Sequence, residues 1–315
     1  MIRLFITLLI IILPISVQGQ YTDIINSNLP GNSQSAYSVG GRVLQFEGGL
    51  WIEQRNHKQM FTDMTILGVN YSVRYGILSD RLELMFNGTA AYDNVHYYRF
   101  INERTNNFGF VNNTIGAKYL IYTPNTDDKP NIYSWKANNS FHWRRLIPAV
   151  GIYAGMNFLP NKRYFYEEVD RLSPKVVLSL QSQPSSRVVL VGNLIANRFL
   201  SKYPELGYIL TLTHNLDNGR FSIFVESEGI QSGYYSDQIT RLGGAYLFTK
   251  NIQVNVDLGA SWKNTPSRYS ALLGFSYRID NHKNFVKSQQ EEKLKPTKIK
   301  RQRKPKKEKK KWLIF

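Results

Sequence analysis

The feature that most constrains this chain is a period of two. In residues 251–262, "NIQVNVDLGASW", Ile252, Val254, Val256, Leu258, Ala260 and Trp262 fall on one side and Asn251, Gln253, Asn255, Asp257, Gly259 and Ser261 on the other. Side chains alternate across a β-strand, so this segment reads as a strand with one apolar and one polar face. Two architectures accept such a strand. In a soluble sandwich the apolar row packs on a second sheet, whereas in a membrane barrel it faces lipid and the polar row lines the lumen.

The alternation recurs. Leu44, Phe46, Gly48, Leu50 and Ile52 oppose Gln45, Glu47, Gly49, Trp51 and Glu53, and 65–76 and 80–93 repeat the pattern. Further segments at 113–122, 147–158, 175–182, 187–197, 207–215, 220–229, 240–248 and 267–279 bring the expected total to about twelve strands. Short turns are expected at 79–80, 183–186, 216–219, 249–251 and 263–266, and long connections at 94–110, 123–145 and 159–174. Short turns on one side and long loops on the other are a habit of transmembrane barrels. The polar rows carry Glu47, Arg74, Arg81, Glu83, Glu226, Glu228, Arg241, Asp257 and Arg278. Charges of both signs could pair across a narrow lumen; in a sandwich they would be a solvated outer face. Tyr75, Tyr92, Trp262, Tyr269 and Tyr277, near strand ends on the apolar rows, fit interfacial girdles.

The two ends favour the barrel. "MIRLFITLLIIILPISVQGQ" has Arg3, an apolar run shorter than a spanning helix, and small residues at Val17 and Gly19, which is the layout of a secretory signal peptide over residues 1–19. The chain has no cysteine. An exported chain without disulfides relies on a core or a closed sheet, which suggests a Gram-negative periplasm or outer membrane. Residues 20–41 are polar, turn-rich and aperiodic and are expected to form a periplasmic or lumen arm. Of the net charge of +17, +11 belongs to 283–315, so the basic character resides in a tail, expected over 281–315 to be disordered. Its lysines, Lys304, Lys306, Lys307, Lys309, Lys310 and Lys311 among them, would meet an anionic periplasmic partner. Nucleic acid is not expected as a partner of an exported chain.

No chemistry is written into the motifs. The five histidines (His57, His96, His142, His214 and His282) stand singly, and no nucleophile-elbow, zinc-protease, dinucleotide or P-loop pattern is present. His142 with Asn138 and Ser140 is the single grouping that resembles a nucleophile and base, and Glu226 with Asp257 reads as lumen polarity rather than an acid pair. The sequons at Asn87, Asn112 and Asn138 carry no meaning in a bacterial envelope. Neither an enzyme nor a cofactor is expected.

The stretches at 22–50, "TDIINSNLPGNSQSAYSVGGRVLQFEGGL", and at 146–160, 205–216, 221–259 and 263–280 resemble the phenol-degradation meta-pathway family of envelope barrels. That family has a Pro-containing segment after the signal, leading into a first strand of the type LQxExG, here Leu44, Gln45, Glu47 and Gly49. The resemblance implies an outer-membrane β-barrel with passive transport of small, including hydrophobic, solutes. Leu29 stands where the family pattern has an arginine before Pro30, which argues against ionic docking of the arm. A more distant likeness exists to membrane proteins of the type IX secretion system, without their early "NPAYAG"-like stretch.

The expected protein is an all-β, transmembrane antiparallel barrel over 42–280 in outer-membrane lipid, with both termini periplasmic. As a channel its lumen charges would choose the solute. The alternative is a non-conducting, secretion-associated scaffold that binds partners through its tail and loops. A lipid-facing Val256 should reject arginine and a lumen-facing Asn255 should accept it.

Overall fold

The computed structural model describes residues 21–29, 31–99, 103–124, 143–160, 170–216 and 219–287. The expected signal peptide, the tail lysines from Lys304 onward and the His142 grouping lie outside them.

Twelve antiparallel strands follow in chain order: β1 (Val43–His57), β2 (Thr62–Gly76), β3 (Leu82–Tyr97), β4 (Glu103–Tyr122), β5 (Ala149–Phe158), β6 (Leu172–Ser185), β7 (Val188–Asn197), β8 (Glu205–Asn215), β9 (Phe221–Ser232), β10 (Ser236–Thr249), β11 (Ile252–Ser261) and β12 (Ser267–Asp280). Each pairs with its sequence neighbours, and β12 closes on β1 from Val43↔Asp280 to Asn56↔Ser267. Closure leaves no open sheet edge, the condition for a sheet to exist in hydrocarbon. The shortest strands have 10 residues, enough to cross a bilayer when tilted.

The period of two decides which face meets what. Along β11, Val256 and Leu258 are 52% and 64% exposed on the outside, while Asn255 and Asp257 are buried inside. The outward rows of the other strands are likewise apolar, with Leu50, Leu67, Ile115, Leu210, Leu242 and Leu273 at mid-height. Tyr75 and Tyr277 lie outward towards the end at which β1 begins and β12 finishes, and Trp262 and Tyr269 at the far end. An apolar belt between aromatic girdles and a closed polar interior make this a transmembrane barrel, not a sandwich.

Three expectations about the course of the chain change. Residues 94–110 are no long loop: β3 and β4 continue as one hairpin, pairing Tyr92↔Phe108 and Tyr97↔Glu103, with a bulge opposite Thr89 and Ala90. The alternation was hidden because this part of the hairpin is rich in asparagine on both rows. The division into short turns and long loops also fails. The longest connection, 123–148, joins strands at the end where β1 begins and β12 finishes, the end that also has the tight turns at 186–187 and 250–251, and the far end carries short links at 58–61 and 233–235. Finally, residues 282–287, at the head of the expected tail, form a helical segment with Phe285 buried.

Asn255 is 2% exposed, and the space beside it at Gly274 is taken by its own amide. The interior at that height has no room for an arginine, so the expected tolerance of Asn255 disappears. Ser270, which faces an open part of the interior, replaces it as the contrast. Val256→Arg is expected to cost about 2–4 kcal/mol and to impair assembly, as arginine does on a lipid face, while Ser270→Arg folds. Heat-modifiable migration on gels checks both, and equal effects would overturn the orientation.

Candidate functional site

Residues 21–29 and 31–41 run inside the end of the barrel at which β1 begins and β12 finishes. An irregular segment there cannot satisfy its own backbone, and each buried unpaired polar group costs about 1–3 kcal/mol. The wall supplies the partners. Cations take arm carbonyls: Arg74 Nη1 donates to Asn26 O (2.9 Å), Lys118 Nζ to Ser35 O and Tyr37 O (3.1 and 2.8 Å), and the two terminal nitrogens of Arg278 to Thr22 O and Asp23 O (2.9 and 2.6 Å). Carboxylates take arm N–H groups: Asn32 and Ser33 donate to Glu226, Val39 to Glu83 (2.8 Å), Asn28 to Glu47 (3.3 Å) and Gly41 to Asp80 (2.8 Å). Amides do both, since Asn193 Oδ1 accepts from Gln34 N (2.7 Å) and its Nδ2 donates to Gln34 O (2.8 Å). Gly31, at φ +85, comes so close to Glu226 that an added Cβ would lie 2.4 Å from Oε2; only glycine fits.

The charges are also paired with one another, as burial requires. Across β1 to β4 the signs alternate: Glu47 to Arg74 (3.1 Å), Arg74 to Glu83 (3.1 Å) and Glu83 to Lys118 (2.7 Å). On the facing wall Arg241 bridges Glu226 (3.0 Å) and Glu228. Glu226 is committed to Arg241, Thr211 and the arm, which leaves it no part as an acid in a catalytic pair. An apolar contact adds to these bonds, with Ala36 packed on Leu120 and Ala149 beside Tyr37. At the rim Asp23 pairs with Lys250, whose hydrogen bond holds the carboxyl below its ordinary pKa.

Beyond the arm, in the half of the lumen away from the termini, lies a vestibule of about 470 Å³. Asn28, Leu29, Gly31, Asn32 and Gln34 of the arm form its floor. Inward-facing Val177, Ile195, Ile209, Ile239 and Leu272 give its wall apolar ground, and Glu53, Glu228, Asp257, Lys175, Arg241 and Arg268 give it charge of both signs. Near its mouth Arg268 holds Glu53 with two bonds of 2.9 Å and reaches Asp237 at 3.3 Å.

Of the residues singled out in the sequence, Glu47, Arg74, Glu83, Glu226, Glu228, Arg241, Asp257 and Arg278 therefore lie on inward rows. Arg81 sits in the turn before β3, where its carbonyl accepts from Leu120 N (2.9 Å). Lys118, Gln45, Gln181, Asn193, Glu53, Lys175 and Arg268 were not singled out. Strand parity was the available signal: each falls on the polar row of a segment already read as a strand. The missing arginine before Pro30 does not prevent docking, because docking runs through the arm's main chain.

The sequence profile of the family described as "Putative MetA-pathway of phenol degradation" matches residues 27–279, from the arm through β12. The chain belongs to that family. Among solved structures it is similar to an outer-membrane channel from Pseudomonas putida F1, with 13% identity over 79% of this chain and 99% of that one and a TM-score of 0.50. A monoaromatic hydrocarbon channel (9% identity, 77% of this chain and 90% of that one, TM-score 0.41) and the KdgM porin (11%, 74% and 99%, 0.41) are also similar. No match was found among curated proteins. The barrel fold matches Gram-negative outer-membrane proteins. Among the described residues no group of three or more His, Cys, Asp or Glu could hold a metal.

Glu83 holds two buried cations and an arm N–H at once. Glu83→Gln is expected to cost about 3–5 kcal/mol, the scale for breaking a buried ion pair, whereas Glu103→Gln on an exposed strand end changes nothing. Urea unfolding of the reconstituted proteins checks the difference.

Proposed function

We propose that this protein is an outer-membrane channel for small solutes with apolar and hydrogen-bonding parts, in which the arm closes the lumen at its periplasmic end. The observation that carries this reading is the vestibule: it is open lumen, it faces away from the termini, and its floor is the arm and not the wall. Twelve strands enclose more than their own side chains can fill, and the surplus is shared between arm and vestibule. The apolar row Val177, Ile195, Ile209 and Ile239 gives a solute a surface that a purely polar pore lacks. The family description and the hydrocarbon channel named above are in keeping with an aromatic solute. In this reading the even strand number puts both termini in the periplasm, and the lysine-rich sequence after residue 287 is available to an anionic envelope partner.

The inward charges serve the arm first and the solute second. Glu47, Glu83, Arg74 and Arg278 meet the arm, while Glu228, Arg241 and Asp257 also line the vestibule. In a scaffold that never conducts, the same vestibule would have no use, which is why the channel reading is preferred.

Single-channel recording in planar bilayers tests it. The full-length protein is expected to be closed or briefly open, and a variant lacking 21–41 steadily open; silence from a correctly folded arm-less barrel would overturn the channel. In that arm-less barrel, Glu228→Gln with Asp257→Asn is expected to shift the reversal potential towards anions, and an unchanged potential would remove these two from selectivity.

A further inference from the structure

The arm is a loop inside the barrel whose two ends are held in different ways. Beyond Gly41 it continues covalently into β1, so that end cannot leave. The other end, residues 21–23, becomes a free end once the expected signal peptide over 1–19 is removed, and its contacts converge on the turn at Lys250, the end of β12 and the start of the segment that follows it. The Tyr21 phenol donates to Asp280, and Arg278 grips Thr22 O and Asp23 O. The Tyr21 ring stacks on His282, with centroids 3.8 Å apart and planes 3° from parallel. Burial and the Asp280 acceptor raise the phenol above its ordinary pKa, so it remains a donor.

The same segment reaches the fixed end. His282 Nε2 lies 2.9 Å from Asp80 Oδ1, the oxygen that also accepts from Gly41 N. Phe285 lies over Gly41 so closely that an added Cβ would be 2.3 Å from its ring. The neck itself is tight: Gly40, at φ +95, sits with its Cβ position 2.8 Å from the Tyr21 ring. One short helical segment thus touches both sides of the neck of the loop that fills the lumen.

We propose that residues 282–287 are a latch on the arm: His282 and Phe285 clasp its neck, and releasing them lets 21–41 withdraw and opens the lumen. This deepens the channel reading and rests on it. The geometry is that of a device and not only of a cap. Burying the last strand's end would need neither a ring stacked on the arm's first residues nor a glycine at its last one. Inside the lumen the arm is held by many bonds, but it can withdraw only through its free end, and that end is the part the latch controls.

The chain has no cysteine, which makes the test direct. Ser35, buried mid-arm, is replaced by cysteine as a reporter, and its labelling by a membrane-impermeant maleimide is followed in folded, reconstituted protein. With the intact latch, labelling is expected to be slow. With His282→Ala and Phe285→Ala it is expected to be at least 10-fold faster, with open-channel time rising by a similar factor. A second variant, Tyr21→Cys with His282→Cys and no reporter, is expected to close the channel when oxidised and to regain its openings under reductant. Unchanged labelling in the latch variant, with steady conductance from the arm-less barrel, would overturn the latch and leave the channel standing. Faster labelling without any conductance would support the latch and remove the channel. Should the alanine variant fail to fold, the oxidised and reduced cysteine pair decides alone: equal open time in both states overturns the proposal.

Discussion

The arm can occupy the lumen only because buried charges of the wall bond to its main chain, and most other features follow from that exchange. A strand contributes no free backbone groups to the interior, so every bond the arm needs must come from inward side chains. Carboxylates offer acceptors to N–H groups and cations offer donors to carbonyls, and ionised partners give bonds roughly twice as strong as neutral ones. Their desolvation is offset by pairing with one another, which is why Glu47, Arg74, Glu83 and Lys118 alternate in sign across four neighbouring strands. Wall and arm each complete what the other would leave unsatisfied.

That mutual dependence explains what the sequence disclosed and what it concealed. The barrel was legible because membrane and lumen impose opposite demands on alternate residues, and Val254, Val256 and Leu258 against Gln253, Asn255 and Asp257 record both demands. The end of the β3–β4 hairpin was concealed because polar side chains occupy both faces there, so the period fades where Asn94 meets Asn106. The inward charges were legible as a class from their parity. Their partner was not, since main-chain acceptors and donors leave no residue type behind. Ser35, Tyr37 and Val39 are bonded through backbone atoms that any residue would offer. Glycine was the partial exception, with Gly31 and Gly41 each marking a place where side chain would meet wall or latch.

The position of the empty lumen follows from the same economy of partners. In the half where β1 begins, arm and charged rows use one another up. In the other half the inward rows change character: Val177, Ile195, Ile209 and Ile239 have no backbone to satisfy, and the charged groups Glu53 and Arg268 are turned towards each other near the mouth. A solute arriving there finds apolar ground between paired charges, with the exposed side of the arm as its floor. In the proposed channel, selectivity and closure belong to different halves of one barrel.

This division sets how the lumen can open. Moving the arm out piecemeal would strand Arg74, Lys118, Glu83 and Glu226 in a low-dielectric interior with part of their bonding removed, at a cost that grows with each bond broken. Water must therefore follow the arm as it leaves, replacing carbonyl and amide partners in the order in which they are vacated. The lumen residues nearest the vestibule are already in reach of water, whereas those deepest in the terminal half are not. Withdrawal from the vestibule side alone would meet the fixed junction with β1. Withdrawal led by residues 21–23 begins with the exposed Asp23–Lys250 pair, continues to the buried Arg278 that holds Thr22 and Asp23, and only then exposes the deeper charges to solvent that has already entered. The order of solvation thus favours a release that begins at residues 21–23, where the Asp23–Lys250 pair is exposed and the latch bears directly.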